Sequence, residues 1–153
     1  MEHTTGKSMR GYSCIGLHNP KNPLNVGSAL RASGCYGVSM VAIGGQRPDR
    51  YMHRMPTDTQ KAYRHIPVIR TEDLHSVIPY DCIPIAVDLI DGAKSLIEFQ
   101  HPERAFYVFG PEDGTLGHQV TRWCKHIIYV PTKYCMNLAA TINVVLYDRL
   151  IKV

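Results

Sequence analysis

The sequence predicts an α/β fold, a mostly parallel sheet with helices on both faces. Two observations carry this. From Ser13 onward, short β-branched runs alternate with helical stretches, and several of those runs are continuously apolar, as strands covered on both faces must be. Residues 14–17, 39–43, 68–70, 85–88, 105–109 and 127–130 are the expected strands. Residues 26–36, 58–63, 117–124 and 137–151 are the expected helices. The last is the clearest, because Leu138, Ile142, Val145, Leu146 and Leu150 follow the i, i+4, i+7, i+8 spacing of one buried stripe. Beside that stripe lie Ala139, Ala140, Asn143 and Tyr147. Small residues there suit close approach by another backbone or a ligand, and a tight helix-on-sheet contact would need the same residues.

A chain of 153 residues buries one sizeable core and not two. Residues 13–153 are therefore expected to form one domain, with residues 1–12 as a polar leader lacking the apolar stretch of a signal peptide. No run approaches the ~18 uncharged apolar residues of a membrane span, and the cytoplasm is the expected compartment. The five cysteines are scattered and never spaced C-x-x-C, and the eight histidines show no metal-finger spacing. Reduced thiols and no metal site are expected.

The net charge of +4 is unevenly placed. Arg47, Arg50, Arg54, Lys61, Arg64 and Arg70 stand in one segment with His53, His65, Tyr51 and Tyr63, against Asp49 and Asp58. Cations interleaved with aromatic rings suit a phosphate backbone and stackable bases. A solvated helix face reads the same way on charge alone.

Three segments sit where a strand gives way to a loop or helix, the ligand-binding edge of open α/β sheets. In residues 19–31, two prolines stiffen the loop, Asn25 is a suitable N-cap, and Gly27, Ser28 and Ala29 keep the first turn slim beneath Arg31. An anion could approach such a turn, whereas a surface Arg paired with an acid is the plain alternative. In residues 109–117, Gly110, Gly114 and Gly117 give backbone freedom to a loop carrying Glu112 and Asp113. The segment is neither a P-loop nor a Rossmann fingerprint, and a turn opening a helix accounts for its spacing equally. In residues 130–140, a strand runs through a short loop to a helix capped at or near Asn137. Cys135 has no His or Asp partner nearby in sequence, so a packed or backbone-positioning role fits it better than a nucleophile's.

In order and spacing the three segments resemble the motifs of the TrmH-type branch of the SPOUT RNA methyltransferases. The residues are Asn25, Gly27 and Arg31 for N-x-G-x-x-x-R, residues 109–116 for F-G-P-E-x-x-x-L, and residues 135–148 for S-M-N-L followed by a helix ending Y-[DE]. The likeness runs from Cys14 to the C-terminus and is greatest to minimal, single-domain tRNA 2′-O-ribose methyltransferases, some of which act on the wobble nucleotide. It implies a C-terminal trefoil knot, a homodimer, and S-adenosylmethionine held in the knot. The implied cofactor residues are Val87, Leu89, Phe109, Gly110, Glu112, Gly114, Val130, Cys135, Asn137 and Leu138. For catalysis the resemblance implies Arg31, with Asn25, Glu112 and Tyr147 as positioning groups. The expected RNA contacts are Arg31, Arg47, Arg50, Arg54, Lys61 and Arg64. Position 135 departs from the family in carrying Cys for Ser, and the loop of residues 131–135 is short. Two other readings compete: a knotted RNA-binding module without catalysis, and a nucleotide-binding α/β protein unrelated to RNA.

Overall fold

The computed structural model describes residues 11–54 and 66–152, with the Arg54 side chain excepted. Seven parallel strands form one sheet in the order β3-β2-β1-β6-β4-β7-β5. They are β1 (Tyr12–His18), β2 (Met40–Gly44), β3 (Val68–Thr71), β4 (Ile83–Val87), β5 (Lys94–Ser95), β6 (Arg104–Phe109) and β7 (His126–Tyr129). The helices are α1 (Pro23–Cys35), α2 (His118–Thr121) and α3 (Leu138–Ile151).

Side chains leave successive strand positions on opposite faces, and both faces are covered. Ile15, Leu17, Val41, Ile43, Ile85, Val87, Tyr107 and Phe109 pack with Val26, Ala29 and Leu30 of α1 and Leu138, Ile142, Val145 and Leu146 of α3. On the other face Cys14, Met40, Ala42, Ala86, Phe106 and Val108 meet Leu74, Leu116 and Val120. That second layer is thin, built from a 3-10 turn (Leu74–Val77) and the single turn of α2. The predicted α/β class and its six strands are present, displaced at their ends by a residue or two.

Four expectations are corrected. Strand β5 was not foreseen, because two polar residues carry no periodic signal. The helix expected over 117–124 is a single turn, after which Trp123 and Cys124 close tighter bonds to Val120 and Thr121. Tyr12, expected in the leader, belongs to β1 and pairs with Arg104 of β6. Asn22, not Asn25, caps α1: its Oδ1 accepts from the Leu24 amide at 2.8 Å, and Pro23 takes the first helical position, where its missing N–H costs nothing. The expected helix 58–63 and residues 1–10 lie outside the described residues.

At the amino ends of the strands a buried polar network anchors α3. The His101 ring lies between the Tyr107 hydroxyl (2.7 Å from Nδ1) and the Asp148 carboxylate (2.7 Å from Nε2). A carboxylate only accepts, so Nε2 carries the proton and Nδ1 accepts from Tyr107. Buried Arg149 donates to the carbonyls of Pro102 (2.6 Å) and Glu103 (2.8 Å), and Lys152 donates to that of Phe99 (3.0 Å) and pairs with Asp148 (2.8 Å).

Burial pushes the His101 pKa below its ordinary 6.5, with Arg149 and Lys152 acting in the same direction, and together they outweigh the opposing pull of Asp148. Below about pH 6.5 the unfolded chain therefore binds a proton that the folded chain refuses, and stability falls as pH falls. The urea midpoint is expected to drop between about pH 7.5 and about pH 5.5. His101→Gln should shrink that drop without abolishing it, since His18 and His126 are shifted the same way. A drop of unchanged size in His101→Gln contradicts this assignment.

Candidate functional site

Two adjoining cavities open at the carboxyl ends of β4, β6 and β7. The larger, about 480 Å³, is bounded by the end of β6 and its loop (Phe109 to Glu112, with Gly114), the start of α3 (Asn137, Leu138, Thr141) and Asn25 of α1. Its neighbour, about 250 Å³, lies between Leu89, Val130 and the loop of residues 132–136. Val87, Asp88, Cys135, Met136 and Thr141 line both. Cavities of this combined size accept a ligand of nucleoside dimensions.

The sequence builds each wall locally. Asn137 caps α3, its Oδ1 accepting from the Ala140 amide at 2.8 Å, so the helix starts at the cavity edge. The Thr141 hydroxyl donates to the Asn137 carbonyl at 2.9 Å. The β6 loop is pinned at both ends: the Leu116 amide donates to Asp88 Oδ2 at 2.8 Å, and the Lys21 amide donates to Glu112 Oε2 at 2.9 Å. Between those points Arg47 grips Asp113 in a bidentate pair at 2.9 and 3.0 Å. Donation from Arg47 raises the affinity of the guanidinium for its proton and holds the Asp113 carboxyl below its usual range.

All ten residues expected at the cofactor border one or both cavities: Val87, Leu89, Phe109, Gly110, Glu112, Gly114, Val130, Cys135, Asn137 and Leu138. Asn25 joins them. Arg31 and Tyr147 do not. Each lies six residues beyond a lining residue of its helix, Asn25 or Thr141, which is about 9 Å along the axis and about 120° around it. Both are exposed, Tyr147 by 53%.

Other expectations change here. Arg47, expected to contact RNA, is committed within the protein to Asp113 and to the Asn19 carbonyl, because these loops emerge from neighbouring strands. Arg50 is exposed, while Lys61, Arg64 and the Arg54 side chain lie outside the described residues. Among the described glycines a positive φ is confined to Gly11, Gly37, Gly45 and Gly92. Gly110, Gly114 and Gly117 therefore leave room without supplying unusual backbone. A Cβ at Gly110 would stand 3.4 Å from Leu116. Cys135, expected in a packed or backbone-positioning role, is exposed at the cavity, which leaves the backbone-positioning alternative. Burial pushes the Cys14 and Cys124 thiols up to about 12, which keeps them protonated and unreactive.

Asp88 and Thr141 were missed. Asp88 had a signal, an acid closing an otherwise apolar strand, whereas Thr141 became a lining residue only through packing. Among the described residues no cluster of His, Cys, Asp or Glu is placed to hold a metal, and no helix is long and apolar enough to cross a membrane.

An α/β sheet with its cavity at the carboxyl ends of parallel strands and lined from three separated motifs defines a class of small-ligand-binding proteins. Within it the chain is specific: the model of the SpoU rRNA Methylase family matches residues 13–147, and the chain belongs to that family. Comparison with curated proteins gave no match. Among solved structures the chain is similar to the SpoU methyltransferase AviRb from Streptomyces viridochromogenes, with TM-score 0.78 and 16% identity over 92% of this chain and 59% of the other. It is similar to an AdoMet-bound rRNA methyltransferase from Sinorhizobium meliloti, with TM-score 0.75 and 18% identity over 92% and 56%. A third, described in terms of 2-OH methylation of C/U34 on tRNA, gives TM-score 0.75 and 18% identity over 91% of this chain and 94% of that one. The chain thus spans less than two thirds of the length of the first two.

Proposed function

We propose that this protein transfers a methyl group from S-adenosylmethionine to a ribose 2′-hydroxyl of RNA, with tRNA as the substrate class, in the cytoplasm and as a homodimer. The observation that carries the reading is the paired cavity, where residues of all three motifs meet. Its chemistry suits the cofactor: Val87, Phe109, Met136 and Leu138 give an apolar bed for an adenine ring, while Asn25, Glu112, Asn137 and Thr141 give polar partners for a ribose and an amino-acid tail. The AdoMet-bound relative and the relative described by tRNA methylation support the cofactor and the substrate class. The family's trefoil knot belongs to the same proposal.

When bound, S-adenosylmethionine supplies an electrophilic methyl group. The protein must then align a ribose hydroxyl with it and ease loss of the hydroxyl proton to solvent water. A guanidinium is no base at neutral pH, and Arg31 is assigned no proton transfer. Its role in this reading is electrostatic, gripping the adjacent phosphate and stabilising developing negative charge on the 2′-oxygen. Arg31 does not line its own chain's cavity, so the reading needs a second subunit. The exposed face shared by α1 and α3 carries Leu24 (65% exposed), Val144 (38%), Tyr147 and Ile151. A two-fold contact there would carry Arg31 and Tyr147 of one subunit toward the cavity of the other.

Two outcomes are expected. With labelled S-adenosylmethionine and total tRNA, wild-type protein forms one new 2′-O-methyl nucleoside by mass spectrometry. Arg31→Ala binds cofactor normally and transfers methyl on the order of a hundredfold more slowly. Arg31→Lys is also strongly impaired, having charge without the planar grip. Arg31→Ala at the wild-type rate would remove Arg31 from catalysis, and a wild type that binds cofactor and RNA without transfer would favour an inactive RNA-binding module. Separately, sedimentation of wild type is expected to give a dimer at micromolar concentration. Val144→Glu places charge in the proposed contact and should give a folded, inactive monomer. A fully active wild-type monomer refutes the dimer.

A further inference from the structure

Arg47 occupies a position that neither the motifs nor the methyl-transfer reading explains. It lies just past β2, in the 3-10 turn Arg47–Arg50, on none of the three motif segments. Its guanidinium spans two of them. Nη1 and Nη2 pair with the two Asp113 oxygens, and Nε and Nη2 donate to the Asn19 carbonyl at 3.2 and 2.6 Å. Its backbone amide donates to Asn19 Oδ1 at 3.0 Å. Asn19 holds a left-handed φ of +50°, and its side chain packs against Gly45, at φ +94°, where a Cβ would stand 2.4 Å from Oδ1.

The turn that presents Arg47 is itself fixed. Arg70 donates to the Ile43 carbonyl at 2.9 Å, to the Gly45 carbonyl and to Asp49 at 2.8 Å, while the Tyr51 hydroxyl donates to the Pro20 carbonyl at 2.7 Å. Arginines 47 and 70 of the basic segment are thus spent on joining loops.

Those loops lead to two sides of the larger cavity. Asn19 begins the segment that enters α1 and brings in Asn25, whereas Asp113 lies between the lining residues Glu112 and Gly114. We propose that Arg47 is a positioning residue, a clamp that sets the distance between the Asn19 loop and the Asp113 loop and so holds the cavity in its ligand-binding shape. It touches neither ligand nor RNA. A planar bidentate guanidinium can hold two acceptors in fixed geometry, which a lysine cannot. Fixing the loops before binding removes an ordering cost that the ligand would otherwise bear.

The proposal rests on the methyltransferase reading of the cavity, and the experiment separates the two. Wild type, Arg47→Ala, Asp113→Asn and the double variant are titrated calorimetrically with S-adenosylhomocysteine, and RNA affinity is measured against salt for each. Both single variants should weaken S-adenosylhomocysteine binding about tenfold, the scale of one charge-assisted hydrogen-bonded pair. The double variant should be no weaker than the worse single, because both substitutions break one contact. The salt dependence of RNA binding should be unchanged, and without ligand the Lys21 amide should exchange its hydrogen faster in Arg47→Ala. Three results overturn the clamp: wild-type affinity in both singles, losses that add in the double, or a shallower RNA salt slope in Arg47→Ala with Asp113→Asn silent, which would make Arg47 a phosphate contact. A wild type that binds no S-adenosylhomocysteine defeats the functional reading itself.

Discussion

Placing β6 between β1 and β4 in a sheet of parallel strands commits the carboxyl end of β6 to a crowded neighbourhood. The loop that follows Phe109 emerges beside the Asn19 loop on one flank and beside Val87 and Asp88 on the other. It has no apolar side chain to bury between Pro111 and Leu116, so hydrogen bonds and ion pairs must fix it. Asp88, Lys21 and Arg47 supply those contacts. The cavity is the space left when three loops are tied together above a fully packed sheet.

The same sheet explains why the two ends of the molecule differ in chemistry. At the amino ends of the strands, His101, Tyr107, Asp148, Arg149 and Lys152 satisfy one another and the backbone. Buried polar groups that are fully paired hold a helix in one register, and here that helix is α3, whose first turn forms a wall of the cavity at the opposite end. The network thus positions Asn137 and Thr141 from a distance, through a rigid helix.

Much of this was legible in the sequence, for identifiable reasons. Apolar runs gave the six longer strands, and the stripe from Leu138 to Leu150 gave α3, because burial imposes periodicity on long elements. Most of the cavity-lining residues were legible through motif order, since each motif follows a strand and parallel strands deliver their carboxyl ends to one edge. The start of α1 was misread because Asn22 and Asn25 are both capable caps, and the decision falls to Pro23, which fits only the first turn. The Arg47–Asp113 pair was not legible because charge composition cannot distinguish a cation facing solvent from one that meets an acid 66 residues away. The placement of Arg31 and Tyr147 outside the cavity was equally invisible, since motif spacing does not say which side chains of a helix reach a cavity.

The account stands on the paired cavity being the S-adenosylmethionine site. A crystal structure of the protein grown with S-adenosylhomocysteine tests this most directly. The account predicts the ligand between the loop of residues 109–114 and the loop of residues 130–138, its adenine against Val87 and Leu138, with the Arg47–Asp113 pair intact beside it. Ligand density elsewhere on the sheet would contradict it, as would a protein that binds the ligand in solution while these two cavities stay empty.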